Sequence, residues 1–344
     1  MTAAEFASTN EGLVLVTGGS GFIGSHTCVA LAAAGYEFAI LDNLSNSRPD
    51  VLDRIRAITG KTPEFVQGDV RDHALLESLF ASRRFSAVIH FAGLKAVGES
   101  VAMPLDYYDN NVSGALALLQ AMRHSGVRRL VFSSSATVYG GDASSPIRED
   151  SHRQGSNPYA RCKIMIEEIL TDLAASEPSW RIASLRYFNP AGAHPSGLIG
   201  EAPLGVPNNL MPLLTQVAAG QRVALDVFGS DYPTPDGTGV RDYVHVMDIA
   251  EGHVTALRHL DAAAGALAVN LGTGQGTSVL ELVNAFERAS GRRVPYRFCQ
   301  RRPGDVAECW ADTRLAKELL DWSASRNIAD ICADAWRWQE SQAK

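Results

Sequence analysis

Short apolar runs alternate with amphipathic stretches through the first half of the chain. Residues 13–17, 38–42, 65–69, 87–92, 130–134 and 181–187 are mostly apolar, whereas residues 22–34, 74–81, 104–124 and 159–175 repeat apolar positions with helical spacing. Strands that are apolar throughout are buried on both faces, which is typical of a parallel sheet between two layers of helices. The pattern therefore predicts an α/β fold with a doubly wound parallel sheet.

The texture of the chain changes at Asn189. From there prolines and glycines accumulate in loops between shorter elements, and long loops in a compact protein often carry function. We expect residues 13–188 to form a first domain and residues 189–344 a smaller C-terminal mixed α/β domain. The boundary is approximate, because later elements can return to the first domain. Residues 1–12 are polar and lack the apolar core of a signal peptide, so a flexible leader is predicted.

A glycine-rich turn follows the first predicted strand and opens the first predicted helix. Gly18, Gly21 and Gly24 would let backbone N–H groups and the positive end of a helix approach a pyrophosphate. Asp42 ends the second strand, where a carboxylate accepts the ribose hydroxyls of NAD and repels the 2′-phosphate of NADP. These residues predict a Rossmann sheet that binds NAD. Asp69 after the third strand is placed to meet adenine, although the same position is also an ordinary turn.

Tyr159 and Lys163 lie one turn apart on a predicted helix. Asn157 is a good N-cap for that helix, and Pro158 suits its first position. A free tyrosine has a pKa of about 10, and a desolvated ammonium a few ångströms away lowers this pKa by favouring the phenolate. The pair therefore indicates a base that takes a proton from an alcohol. A tyrosine and a lysine at this spacing also occur by chance as half-exposed surface pairs, and this alternative stays open.

A serine-rich loop at 133–135 follows the fifth predicted strand. Its hydroxyls emerge at the carboxyl edge of the sheet, where open α/β folds bind ligands, so Ser135 is placed to share a site with Tyr159. Alone, such a loop is equally an ordinary turn. None of the nine histidines forms a recognisable Ser-His-acid order or a pair with metal-ligand spacing. Hydride chemistry with a tyrosine base, without a metal, is the consistent expectation.

Composition and charge narrow the class of protein. The chain has 344 residues, 46% of them hydrophobic and 20% charged, with a net charge of −7 and no basic cluster. These values are those of a soluble globular protein and do not recommend nucleic acid or an anionic membrane as a partner. The five cysteines are odd in number and lack metal-type spacing, which favours free thiols in a reducing compartment, the cytoplasm.

Several longer blocks are similar to one known family. They span residues 17–24, 41–44, 90–100, 107–111, 133–140 and the Tyr159 to Lys163 pair, and further along residues 185–190, 207–212, 237–246 and 301–305. Together they resemble the extended short-chain dehydrogenase/reductase family, and within it the UDP-galactose 4-epimerases. The resemblance covers residues 13–339. Blocks this numerous are far more specific than any single motif.

The resemblance implies an enzyme that keeps NAD bound while it inverts C4 of UDP-glucose and UDP-galactose through a 4-keto sugar. Besides the three glycines and Asp42, the residues implied to hold NAD are Phe22, Ile23, Asn43, Leu44, Asn46, Ser47, Asp69, Val70, Phe91, Ala92, Gly93, Lys95, Asn110, Ser135, Tyr159, Lys163 and Phe188. The residues implied to bind the UDP-sugar are Ser135, Tyr159, Asn189, Asn209, Leu210, Asp226, Val227, Phe228, Arg241, Arg302, Asp305 and Cys309.

The resemblance also implies roles for these residues. Tyr159 would deprotonate the sugar 4-hydroxyl, Lys163 would bind the nicotinamide ribose and lower the Tyr159 pKa, and Ser135 would hydrogen-bond the reacting oxygen. Two guanidinium groups, on Arg241 and Arg302, suit a diphosphate. Because the keto sugar must turn over in the pocket, the binding energy is expected on the UDP moiety. A homodimer through the helices at 104–124 and 159–175 is expected as well.

One departure from the family bears on specificity. The residue before Trp310 is Cys309, whereas relatives restricted to glucose and galactose carry a bulky tyrosine there. A small residue is associated in the family with room for an N-acetyl group. This implies turnover of UDP-GlcNAc and UDP-GalNAc in addition. Cys309 is equally compatible with a plain core cysteine.

Two rival functions remain for comparison. A nucleotide-sugar 4,6-dehydratase of the same superfamily would need an Asp-Glu pair near Ser135, where Ala136 and Thr137 stand instead. A non-catalytic NAD-sensing protein would keep the glycine turn but lack a working catalytic pair, whereas Tyr159, Lys163 and Ser135 are all present. The expected function is therefore epimerisation.

Overall fold

The computed structural model describes residues 12–205, 207–302 and 304–342. The flexible leader was predicted over residues 1–12. Residues 1–11 lie outside the described part of the chain, so the leader stays a prediction. Among the helices of the described part, none combines the length and the apolar content that a membrane crossing requires.

Strands and helices alternate from the first described residues. The strands are β1 (Leu13–Thr17), β2 (Phe38–Asp42), β3 (Glu64–Gln67), β4 (Phe85–His90), β5 (Arg129–Ser135), β6 (Arg181–Tyr187), β7 (Asn189–Ala191), β8 (Leu225–Phe228), β9 (Val240–Arg241), β10 (Tyr243–His245), β11 (Gly265–Leu271), β12 (Thr277–Ser278), β13 (Tyr296–Cys299) and β14 (Glu308–Cys309). The helices are α1 (Phe22–Ala33), α2 (Asp50–Thr59), α3 (His73–Ser82), α4 (Val97–Ala102), α5 (Pro104–Tyr107), α6 (Gly114–Ser125), α7 (Pro158–Ser176), α8 (Leu210–Ala218), α9 (Val246–His259), α10 (Val279–Ser290), α11 (Arg314–Leu320) and α12 (Ile328–Ser341).

Seven strands form one parallel sheet in the order β11-β6-β5-β4-β1-β2-β3. The order reverses between β1 and β4, which is the switch point where such sheets bind ligands beyond the carboxyl ends of their strands. The predicted doubly wound parallel sheet is confirmed.

Alternate residues of each strand pack against different helix layers. Val14 and Val16 of β1 lie in a core with α1, α9 and α11, whereas Leu15 between them packs in a second core with α3, α6 and α7. All three side chains are fully buried. Burial on both faces explains why the strands are apolar at every position rather than at every second one.

A smaller layer of helices and short strands is built mainly from residues beyond 189. It contains the pairs β7 with β10 and β8 with β13, and the three-stranded sheet β12-β9-β14. Its apolar core joins α8, α10 and α12, with Leu214, Phe286 and Ile331 fully buried. The predicted smaller mixed α/β region is confirmed as an architecture.

The later part of the chain also contributes to the large sheet. Strand β11 pairs in parallel with β6 over its full length, from Gly265 opposite Arg181 to Leu271 opposite Tyr187. Helix α9 covers the same sheet face as α1. The division at 188/189 stays a prediction, with the expected return of later elements visible in β11.

The stretch predicted as one helix over 104–124 is divided in the structure. Helix α5 passes into a π-helical segment at Tyr108–Ser113 before α6 begins. Within that segment Asn111 accepts a hydrogen bond from the Leu94 N–H at 2.8 Å and donates to the Leu94 carbonyl at 2.9 Å. Because π-helical turns often occur at functional sites, this local widening marks the edge where Asn111 contacts the 93–95 loop.

Candidate active site

Helix α7 begins where its local chemistry predicts. The Asn157 side chain accepts a hydrogen bond from the Ala160 N–H at 2.9 Å, and Pro158 occupies the first turn. The start of α7 sets the position of Tyr159, which is half-buried, and of Lys163, which is 6% exposed. A half-exposed surface pair was the alternative for these two residues. The burial of Lys163 is incompatible with it.

The Lys163 ammonium is held from two sides. Its Nζ donates to the Ser133 carbonyl at 2.6 Å and lies 4.8 Å from the centre of the Phe132 ring. The centre of the Tyr159 ring is 5.7 Å away. An ammonium has three donors, so one is committed to Ser133 and two are left for other acceptors. Burial lowers the pKa of Lys163 to about 8.

The Tyr159 pKa differs from the expectation. Burial raises the pKa of Tyr159 above its ordinary value, and a hydrogen bond with Ser135 lowers it only in part. The sequence argument expected Lys163, together with the oxidised ring of NAD, to lower this pKa; the protein groups alone do not lower it below its ordinary value, and the joint effect stays a prediction. The reason is that desolvation penalises the phenolate more than these neighbours favour it.

Ser135 ends strand β5 beside this pair. Its hydroxyl oxygen accepts hydrogen bonds from the Thr137 N–H at 3.3 Å and the Thr137 hydroxyl at 3.0 Å. Ala136 and Thr137 follow in a 3-10 turn that ends at Tyr139. The Ser135 side chain is close enough to Tyr159 to lower its pKa in part, so a strand end and a helix start bring the two side chains together.

The glycine turn after β1 fits a dinucleotide. Gly18 has φ of +70°, and a Cβ at this position would lie 2.6 Å from the Ala92 N atom. A Cβ at Gly24 would lie 2.3 Å from the Gly18 carbonyl oxygen. Helix α1 begins without a side-chain cap, so its first N–H groups are available to a phosphate. The Ser20 hydroxyl is buried and makes no hydrogen bond within the described residues.

Asp42 organises the next part of this cradle. Its carboxylate accepts hydrogen bonds from the Ser20 N–H at 3.0 Å and the Leu44 N–H at 2.8 Å, and the Ser47 hydroxyl lies 3.3 Å away. Leu44 has a positive φ of 59°, a conformation that this bond helps to hold. A carboxylate that can accept hydrogen bonds at this strand end, beside helix N–H groups that are free to donate them, matches what NAD requires.

The other residues expected around NAD lie along the carboxyl edge of the sheet. The loops after β2, β3 and β4, the π-helical segment and the end of β6 carry Asn43, Leu44, Asn46, Ser47, Asp69, Val70, Phe91, Ala92, Gly93, Lys95, Asn110 and Phe188. Asp69 is paired with Arg71 through two hydrogen bonds, which holds the pKa of its carboxyl well below the usual range. Phe91 packs against His253 at a tilted angle, with 4.7 Å between ring centres.

A cavity of about 230 Å³ lies at the junction of the large sheet and the smaller layer. Its lining includes nine of the residues expected at the nucleotide end of the substrate, which are Asn189, Asn209, Leu210, Asp226, Val227, Phe228, Arg241, Arg302 and Asp305. Phe188 also lines it and packs with Val138 and Tyr139 beside the serine turn. A larger hollow of about 510 Å³, at Phe80 to Phe85, lies near the amino ends of the strands and contains none of the expected residues.

The cavity carries two cations suited to a diphosphate. Arg241 pairs with Asp305, and the Arg302 guanidinium lies 4.0 Å from the centre of the Phe228 ring. The pairing and the stacking each hold a flexible side chain in place. The planar Phe228 ring thus lies next to guanidinium N–H groups that can donate hydrogen bonds to an anion.

Cys309 lies behind one of these cations. Strand β14 places it opposite Arg241 of β9, and its carbonyl accepts from the Asp242 N–H at 3.1 Å. Its side chain is half-buried, and burial raises the pKa of its thiol to about 11, so the thiol is neutral. Cys309 is not among the residues that line the cavity.

Sequence reasoning passed over two buried carboxylates at this site. Asp242 accepts four hydrogen bonds, from the Thr273 N–H and hydroxyl and from the Gly274 and Ala311 N–H groups. Glu201 contacts both Lys95, at 3.2 Å, and Asn209, at 2.6 Å. Asp242 lies in a block that resembles the family, whereas Glu201 lies outside all of them. Most of their partners, such as Thr273 for Asp242 and Lys95 for Glu201, are far away in sequence, so only the fold shows what they hold.

Comparison with known proteins agrees with this geometry. The chain matches the NAD dependent epimerase/dehydratase family over residues 14–272. It is 58% identical over 328 residues to a UDP-glucose 4-epimerase of Bacillus subtilis, covering 95% of this chain and 97% of that protein. A UDP-glucose 4-epimerase from Stenotrophomonas maltophila, crystallised with NAD and formylated UDP-arabinopyranose, is 52% identical with a TM-score of 0.95, covering 97% of this chain and 99% of the other.

A second solved structure is similar over the same range. It is a UDP-glucose 4-epimerase from Bifidobacterium longum in complex with NAD⁺ and UDP. It is 50% identical to this chain, has a TM-score of 0.93, and covers 96% of this chain and 99% of its own.

The burial of Lys163 predicts a pH dependence of stability. Its folded pKa of about 8 lies below the ordinary value of 10.5, so between these values the unfolded state binds more protons and this contribution to stability rises with pH. Below pH 8 the cost of the buried charge is present in full. Lys163→Met removes it, and urea unfolding from pH 7 to 10.5 should show the variant's stability advantage over the parent shrinking with pH. Lys317→Met, which also removes one charge, is the control. If the free energies of unfolding of Lys163→Met and the parent differ by the same amount at every pH, the lowered pKa of Lys163 is contradicted.

Proposed function

The chain belongs to the NAD dependent epimerase/dehydratase family, and we propose from its site which residues carry out the reaction. The protein is an NAD-dependent isomerase that inverts C4 of UDP-hexoses and interconverts UDP-glucose and UDP-galactose through a 4-keto sugar. The observation that carries this function is the 58% identity to a UDP-glucose 4-epimerase over 95% of the chain. The residue roles below are our proposal.

We assign NAD to the cradle formed by the glycine turn, Asp42 and the loops after β3 and β4. When bound, NAD supplies the hydride acceptor for C4 and a positive charge in its oxidised ring. The free N–H groups at the start of α1 bind its pyrophosphate, and Asp42 accepts its ribose hydroxyls. Lys163 uses the donors left over from Ser133 for the second ribose.

Tyr159 is the base in this proposal. It takes the proton of the sugar 4-hydroxyl as the 4-keto sugar forms, and it returns the proton after the sugar has turned over. Ser135 hydrogen-bonds the same oxygen and holds it beside Tyr159. Lys163 contributes a positive charge 5.7 Å from the centre of the Tyr159 ring. Burial raises the Tyr159 pKa, so this charge and that of the oxidised ring of bound NAD would together have to offset the cost of desolvating the phenolate.

The nucleotide end anchors the substrate. Arg241 and Arg302 bind the diphosphate, and Asp305 accepts hydroxyls of the uridine ribose. The Arg241–Asp305 pair holds both side chains at the wall of the cavity. Binding energy placed here leaves the hexose loosely held, which is what a keto sugar needs in order to present both faces at one position.

We propose that the cytoplasm is the location of the enzyme. All five cysteines lie in the described residues and are free thiols, which suits a reducing compartment. Recovery of the activity outside the cytosolic fraction after cell fractionation would contradict this proposal.

Tyr159→Phe is predicted to lower turnover of UDP-galactose by at least about 100-fold, because general-base catalysis contributes that much or more. The ring and its packing remain, so bound NAD should stay. Turnover is followed by NMR without added NAD, and retained cofactor by the absorbance of denatured protein. Turnover close to that of the parent would refute the role of Tyr159.

A homodimer is proposed through α4 to α7. Large apolar side chains are exposed on these helices, with Val101 at 64%, Met103 at 50% and Leu105 at 80%, and contiguous exposed apolar surface marks interaction sites. Leu105→Glu is predicted to convert the dimer to a monomer in sedimentation experiments. Val223→Glu, at a position 93% exposed in a different part of the chain, should leave the mass unchanged, and a monomeric parent would contradict the proposal.

Turnover of UDP-GlcNAc and UDP-GalNAc is proposed from the small, neutral Cys309 thiol opposite Arg241. Cys309→Tyr is predicted to reduce turnover of UDP-GalNAc by at least about tenfold while leaving UDP-galactose within about twofold, because pocket size is worth 10- to 200-fold in such discrimination. Cys309→Ser keeps the size and should retain both activities. If the parent turns over UDP-GalNAc and the tyrosine variant does so equally fast, Cys309 does not control the pocket.

A further inference from the structure

A buried glutamate lies on α7 beyond the reacting pair. The Glu167 side chain is only 4% exposed, and both of its oxygens are fully used. One accepts from the Ser134 hydroxyl at 2.6 Å and from Arg186 Nε at 2.9 Å. The other accepts from Arg186 Nη2 at 2.6 Å and from Arg153 Nη1 at 3.1 Å. Glu167 thus ties α7 to β5, to β6 and to the segment before α7.

The position of Glu167 relates it directly to the groups that react. It lies one helical turn from Lys163 and two turns from Tyr159, about 6 and 12 Å along the helix axis. Its partner Ser134 stands between Ser133, which accepts from Lys163, and Ser135, which meets Tyr159. Helix α7 and strand β5 are therefore joined at the site, through Lys163 and Ser133, and again one helical turn further on, through Glu167 and Ser134.

Arg186 extends the connection to the serine turn. Its Nη1 donates to the Tyr139 hydroxyl and to the Glu149 carbonyl, each at 2.9 Å. The Tyr139 hydroxyl in turn donates to Asn270 Oδ1 at 2.5 Å. Tyr139 ends the 3-10 turn that follows Ser135. The network therefore holds Ser134 just before this turn and Tyr139 at its end.

We propose that Glu167 is a positioning residue for the epimerisation, which through Ser134 and Arg186 sets the distance between Tyr159 and Lys163 on α7 and Ser135 on β5. A proton transfer needs heavy atoms at hydrogen-bond distance, and a misplacement of about 1 Å costs about 100-fold in rate. A bidentate ion pair is a stiff link with one preferred geometry. This inference rests on the proposed roles of Tyr159 and Ser135.

The chain contains a comparable buried ion pair away from the reacting elements. Asp248 at the start of α9 is 1% exposed and pairs with Arg326 at 2.5 Å, and it also accepts from the Ser325 hydroxyl at 3.0 Å. It has the same chemistry as Glu167, a buried carboxylate held by an arginine and a serine. Its partners, however, belong to the segment before α12 and not to the reacting elements.

The experiment compares Glu167→Gln with Asp248→Asn in the NAD-loaded enzyme. Both variants leave an arginine without its buried partner and should lose stability in urea unfolding. Only Glu167→Gln is expected to lower kcat for UDP-galactose, by about 100-fold, with KM within about twofold and NAD retained after gel filtration. Asp248→Asn should keep kcat within about twofold. A normal kcat in Glu167→Gln, or equal losses in the two variants, would overturn the proposal.

A milder pair serves if Glu167→Gln does not fold. Ser134→Ala removes only the hydroxyl that links β5 to Glu167, and Ser325→Ala removes the corresponding hydroxyl at Asp248. Ser134→Ala is expected to lower kcat about tenfold and Ser325→Ala to leave it unchanged, and equal kcat values would overturn the inference. Tyr159→Phe is measured in parallel. If that variant stays active, the proposed base is wrong. If it is inactive while both Glu167 and Ser134 variants are normal, only the positioning role fails.

Discussion

Ser133, Ser134 and Ser135 end strand β5 with three consecutive contacts to helix α7. The first accepts the Lys163 ammonium through its carbonyl, the second donates to Glu167, and the third meets Tyr159. Because these contacts join the strand end to three successive turns of the helix, few other arrangements of the two elements would make all of them. The rest of the site depends on this docking, because the proposed cofactor edge is built on the strands and the proposed base is carried by the helix.

The docking has an energetic cost that the rest of the fold must offset. Burial raises the pKa of Tyr159 and lowers that of Lys163, so the protein disfavours the charged form of each group that the chemistry needs. Hydrogen bonds with Ser135 and Ser133 offset part of that cost. Sites of this kind are stable only because the surrounding packing is extensive. The two apolar cores on either side of the sheet provide it.

Much of the fold was predictable, because its strands are buried on both faces and therefore apolar throughout. Strands β1, β2 and β6 have the predicted bounds. Helix α2 was not predicted, although Val51, Leu52, Ile55 and Ile58 repeat at helical spacing and pack against the core. The π-helical segment within 104–124 has the same apolar spacing as an α-helix, and only the contacts of Asn111 distinguish it.

The site was predictable as a set of residues but not in its electrostatics. The glycine turn, Asp42 and the Tyr159 to Lys163 spacing are local patterns with a direct physical meaning. The raised Tyr159 pKa comes from burial, and the sequence contains no measure of burial at a half-apolar helix start. The roles of Glu167 and Asp242 depend on partners from distant segments, such as Arg186 for the first and Thr273 for the second.

Strand β11 has a consequence for how the protein is made. It is the edge strand of the large sheet, yet it lies beyond most of the loops that form the nucleotide cavity. As the chain leaves the ribosome, β6 emerges long before its partner strand β11, in which Gly265 pairs with Arg181. Until then an open sheet edge is exposed to other chains. The loops between β6 and β11, which include much of the cavity lining, thus lengthen the interval in which the unpaired edge of β6 is exposed.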